Sequence, residues 1–92
     1  MKIIYLPAQG QPTVRDIPNT INAFMEQLNW PLTIDTIRFA GDVVAVVTNA
    51  DAHLRYKVQN MHLSDLMGNA FICGLNGNDI PDNVVRLLGL GG

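Results

Sequence analysis

Four consecutive apolar residues, Ile3 to Leu6, follow Lys2, and a run that is apolar on both faces reads as a buried strand over Lys2–Leu6. Pro7, Gly10 and Pro12 then interrupt regular structure and predict a loop or wide hairpin turn, with a short edge strand at residues 13–15 beyond it. Ile17, Ile21, Phe24, Met25 and Leu28 fall on one stripe of a 3.6-residue period, which predicts an amphipathic helix. Asp16 suits its N-cap and Pro18 its first turn, where a missing N–H costs nothing. Pro31 pushes the residue before it out of the α region, so the helix should end near Asn29.

Beyond Pro31 the alternation changes parity. Leu32 and Ile34 share one strand face whereas Ile37 and Phe39 share the other, and a bulge near Asp35 and Thr36 would reconcile them. A tight turn at residues 40–42 leads into residues 43–47, the most β-prone run in the chain. This run is apolar on both faces and predicts a central strand with cover on each side. After a turn at residues 49–52, Leu54, Tyr56 and Val58 alternate with His53, Arg55 and Lys57, the pattern of a strand with one wet face. Ser64 to Gly68 suit a single helical turn with Ser64 as cap and Gly68 as stop. Residues 70–75 form another doubly apolar strand, and Asn76-Gly77 is a turn signal. A short last helix starts within residues 79–82, with Ile80, Val84, Leu87 and Leu88 on one face and Gly89 at its end; Gly91 and Gly92 should fray.

The order strand, helix, several strands, helix with short middle links predicts a single α+β domain over residues 1–92. Its sheet is mostly antiparallel with about four to six strands, one amphipathic helix and a short C-terminal helix. This arrangement raises a difficulty. The strands at 43–47 and 70–75 ask for cover on two faces, yet only one full helix and one short one are available. The expectation is a bare apolar sheet face, hidden by a second copy or by a partner protein. Composition points the same way: 48% of the residues are hydrophobic and 15% charged, against roughly 25% charged in average domains. Disorder is excluded by the same figures. The formal net charge of −2 excludes a polyanion binder relying on bulk charge.

Candidate chemistry is sparse. Asp51, His53, His62 and Asp65 are metal-ligand types, but their spacing matches no zinc motif. Cys73 lies in an apolar run, where a thiol is inert, and Ser64 is explained by capping. Glu26, the sole glutamate, falls on the polar side of the first helix, and the aspartates sit at turns and caps. No phosphate-cradling glycine motif occurs. These observations argue against an enzyme, and no cofactor or metal is implied. Arg55 and Lys57, with His53 and Arg38, could contact nucleic-acid phosphates, but no aromatic platform accompanies them. Asn49 and Asn60 tolerate left-handed backbone and bond locally, which favours strand ends and turns over ligand binding. The candidate interaction surface is therefore Arg38, Asn49, His53, Arg55, Lys57 and Asn60. The apolar run after Lys2 falls short of the about 7–15 residues of a signal peptide, and no stretch approaches the roughly 18 apolar residues of a membrane span. A cytoplasmic protein is expected.

Asn49, Leu54, Asn60, Leu63, Asp65, Leu66, Gly68, Ala70 and Gly74 reproduce a spacing that resembles a small uncharacterised domain family encoded by phages, plasmids and conjugative elements of Gram-positive bacteria. The opening strand and the amphipathic helix are similar too, so the likeness spans most of the chain. Ala50, Ala52, residues 56–59 and Met61 depart from the pattern. The resemblance implies a mobile element in a bacterial cytoplasm and no particular reaction. The leading expectation is a non-enzymatic interaction module, self-associating or binding a protein partner. The alternative is a nucleic-acid-associated accessory protein using Arg38, Arg55 and Lys57.

Overall fold

A computed structural model describes residues 1–29, 31–39, 41–55, 58–63 and 66–89. Five strands form one antiparallel sheet: β1 (Lys2–Leu6), β2 (Thr13–Asp16), β3 (Leu32–Phe39), β4 (Asp42–Asn49) and β5 (Ala70–Cys73), in the order β2-β1-β5-β4-β3. The helices are α1 (Ile21–Leu28), a four-residue turn α2 (Ala52–Arg55) and α3 (Asp82–Leu87), with a 3-10 turn at Leu75–Gly77. The α+β antiparallel architecture is the one the sequence predicts.

Period-two alternation divides the core between the two sheet faces. On one face Ile3, Ala45, Val47, Phe71 and Cys73 lie beneath Ala23, Phe24 and Leu28 of α1. Phe24 meets Phe71 edge to face, with ring centroids 5.2 Å apart, a geometry worth about 0.5–1.5 kcal/mol beyond area burial. On the opposite face Ile4, Leu6, Val44, Val46, Ala70 and Ile72 lie beneath Ile80, Val84 and Val85. The connection between α2 and β5 adds Leu63 and Leu66 to that cover. Every residue of β5, and β4 from Val44 onward, is buried. The expected bare face over the central strands is therefore absent, because α3, Ile80, Leu63 and Leu66 together cover what α1 does not.

Four local expectations are also corrected. The helix starts at Ile21, not near Ile17, with Thr20 as N-cap accepting a 3.2 Å hydrogen bond from the Ala23 N–H. Asp16 instead pairs with Lys2 as the last residue of β2, and Ile17 joins the core from the extended lead-in, its N–H donating to the Met1 carbonyl. The helix does stop at Asn29, whose φ of 65° turns the chain away. β3 has no bulge: it pairs residue for residue with β4 from Leu32↔Asn49 to Phe39↔Asp42. Its parity change follows the cover on each face, since Leu32 packs on the α1 side while Ile37 and Phe39 pack on the α3 side. The expected strand over residues 53–58 begins instead inside α2, and Tyr56 and Lys57 lie outside the described residues. The Ser64–Asp65 part of the expected helical turn is likewise outside them, while Met67 bridges to Gln59. In α3, Val84 is buried, but Leu87 is 62% exposed and so belongs to the wet side.

Candidate interaction surface

Asn60 and Asn49 are structural, which removes both from the expected surface. Asn60 is 1% exposed. Its amide nitrogen donates to the carbonyls of Leu6 and Gly68, each at 2.9 Å. Its carbonyl accepts from the N–H groups of His62 and Leu63 at 2.8 and 3.0 Å. Asn49, also buried, donates to the Leu28 carbonyl at the end of α1 and accepts from the Asp51 N–H. Asn60 thus fills the hydrogen-bonding capacity of its amide on backbone groups, and Asn49 donates one bond and accepts one. No buried side-chain polar atom among the described residues lacks a partner.

Arg38 lies on a different element from His53 and Arg55. Arg38 is exposed on β3 opposite Val43. His53 and Arg55 belong to the α2 turn, and Lys57 lies outside the described residues. Among the described residues no three His, Cys, Asp or Glu side chains gather as a metal site requires.

Among the described residues, three shallow concavities can be followed beside the sheet. One of about 260 Å³ opens between α1 and the turn after β5, with Phe24, Ile34, Val47 and Cys73 among its walls. Burial pushes the Cys73 thiol up, away from the thiolate form a nucleophile needs. The second, about 360 Å³, runs along β3 with a floor of Ile37, Phe39, Val46, Leu63 and Leu66 and with Asp35 and His62 at its rim. The Nε2 atom of His62 is 2.9 Å from the Gly10 carbonyl and donates to it, so the ring ties two loops together. The third, about 210 Å³, continues past Thr33 and Asp35 toward Met67. None assembles an acid, a base and a nucleophile, but all three have a β3 residue in their walls.

β3 and β2 are the two outer strands, and they differ in kind. β2 is four residues long, with Pro12 before it and Pro18 just after it. Its charges are engaged. The Arg15 guanidinium lies 3.9 Å over the Tyr5 ring and donates to Gln27 at 2.6 Å, while Asp16 accepts from the Met1 amino group at 3.1 Å. Short length, flanking proline and charge are the devices that protect sheet edges. β3 shares the flanking proline, at Pro31, and carries Asp35 and Arg38, but it is twice as long as β2. It has eight residues, no proline, glycine or lysine, and β-branched side chains at Thr33, Ile34, Thr36 and Ile37. Ile34 is 57% exposed on the α1 side of this edge. An outer strand leaves every second residue's N–H and C=O aimed away from its partner strand. The β3 edge was missed from the sequence because strand order decides which strand is outermost, and no local pattern in residues 32–39 reports it.

No protein-family model, curated protein or solved structure matches the chain. Among the described residues, no helix is long and apolar enough to cross a membrane.

Proposed function

We propose that the protein is a non-enzymatic interaction module that takes up an extended protein segment along β3. The observation behind this reading is the contrast in length between its two edges: β2 has four residues, set between Pro12 and Pro18, while β3 offers eight residues of edge backbone after Pro31. Strand addition draws affinity from main-chain hydrogen bonds and selectivity from pockets that receive alternate side chains. Concavities on both faces beside β3 supply such pockets, the larger one floored by Ile37 and Phe39. This reading keeps the interaction module expected from composition but moves its surface from a sheet face to a sheet edge. Nucleic-acid binding is less favoured, since Arg38 shares the strand with Asp35 and the chain is net negative. The setting implied by the family likeness is a bacterial mobile element in the host cytoplasm, and the free, buried Cys73 suits a reducing compartment.

The test is a nuclear magnetic resonance titration of the labelled protein with a peptide having the β3 sequence and with a panel of extended, β-branched octapeptides. Amide shifts confined to residues 32–39 and the groove beside them support strand addition, provided N-methylation of alternate peptide residues abolishes them. Absence of shifts across the panel refutes it.

A further inference from the structure

Resting on that strand-addition reading, we infer that the segment taken up by β3 is the β3 strand of a second copy, giving a closed dimer with a continuous ten-stranded sheet. The edge is self-complementary in a way that fixes its register. A two-fold axis normal to the sheet pairs residues of equal parity, because opposed side chains in an antiparallel pair share a face. Centring the axis on Asp35 sets two carboxylates directly opposite each other, which is unfavourable. Centring it on Ile37 keeps only residues 35–39 in register. Centring it on Thr36 pairs residues 33–39 with their counterparts. Thr36 then meets Thr36 of the second copy, Asp35 meets Ile37, and Ile34 meets the aliphatic stem of Arg38. No like charges are directly opposed, the central Thr–Thr pair can hydrogen-bond, and the exposed Ile34 is covered.

Closure follows from the difference between the edges. A chain with two open edges pairs head to tail into filaments, whereas one with a single open edge stops at an isologous pair. β2 is the protected edge, so the assembly ends at two copies. Two strands in contact make a small interface, and dissociation in the micromolar range or weaker is expected.

Sedimentation velocity from low micromolar to near-millimolar protein should show a reversible monomer–dimer equilibrium. The substitution Ile34→Lys places a second cation opposite Arg38 and should weaken association roughly tenfold or more. Its thermal transition measured on dilute protein should be unchanged. Directly opposed residues lie about 4.5–5.5 Å apart between Cα atoms, within reach of a disulfide. Thr36→Cys should therefore form a covalent dimer when oxidised with diamide, while Val14→Cys on β2 should not. A dimer that ignores Ile34→Lys, or that fails to crosslink at position 36, overturns the inference. A strict monomer whose β3 amides still respond to the octapeptides overturns the second copy alone. A strict monomer with no peptide response removes the strand-addition reading as well.

Discussion

Replacing Asn60 by alanine tests whether one buried amide holds the cover on the α3 side of the sheet. The side chain makes four hydrogen bonds, to the carbonyls of Leu6 and Gly68 and from the N–H groups of His62 and Leu63. Each is worth about 1 kcal/mol net, and a buried group left without a partner costs about 1–3 kcal/mol. Leu6 and Gly68 are buried, so their carbonyls cannot all be rehydrated. Water entering the vacated space offsets part of the loss, leaving about 3–4 kcal/mol. A domain of this length holds about 5–14 kcal/mol in all, and the midpoint of thermal unfolding should fall by roughly 15–25 °C. Urea and thermal melts followed by circular dichroism measure this. Asn78→Ala, which removes one exposed bond to the Leu75 carbonyl, serves as the surface control. Asn60→Asp adds a second readout. It keeps the acceptor for His62 and Leu63 but turns an oxygen toward two carbonyls, so this variant should be more stable at acid pH, where the new carboxyl is protonated and can donate. A loss for Asn60→Ala below about 1 kcal/mol, or equal to that of Asn78→Ala, would refute the argument.

Three further outcomes are expected. Because burial raises the Cys73 thiol, the folded chain keeps its proton at pH values where the unfolded chain releases it. That contribution to stability is complete below the ordinary thiol value of about 8.5 and is lost as pH climbs toward the raised one; urea midpoints should decline in that alkaline window, and Cys73→Ala should flatten the decline. Gly74→Ala should cost about 3 kcal/mol in chemical denaturation, since a Cβ there runs into the carbonyl oxygens of Asn78 and Asp79; an unchanged midpoint would show the turn to be adjustable. Thr20→Ala should remove about 1 kcal/mol by deleting the cap of α1, whereas Asp16→Ala should leave helicity by circular dichroism unaltered.

The helical period made α1 readable, and continuous apolar runs made β1, β4 and β5 readable, because both faces of those strands are covered. Two kinds of information were not local. The parity change in β3 suggests a bulge until the cover on both faces is known, and that cover comes from elements distant in sequence. The second was the lid over the α3 side. Leu63 and Leu66 show no period to detect, and what ties Leu63 down is Asn60, a residue whose type favours turns and caps. The excess of apolar strand surface over helix was real as a count of residues, but it took helices to be the sole cover. The alternation of Leu54, Tyr56 and Val58 spans too few residues to outweigh the turn that Asn49 sets up by accepting from the Asp51 N–H. Both asparagines were picked out by sequence, and both proved to be fasteners of the fold.

β5 lies between β1 and β4 although it is the last strand in chain order. During synthesis the hairpins β1–β2 and β3–β4 emerge first and can close within about 1–10 μs. They have no shared seam until residues 70–73 arrive. At ribosomal speeds of about 5–20 residues per second, that wait lasts roughly one to five seconds. Throughout it the inner borders of β1 and β4, which carry the buried residues Ile3, Ile4 and Leu6 and Val44 to Val47, have nothing to zip onto. Chain order alone thus creates a nascent state far stickier than the finished protein, and the arrival of a four-residue strand ends it.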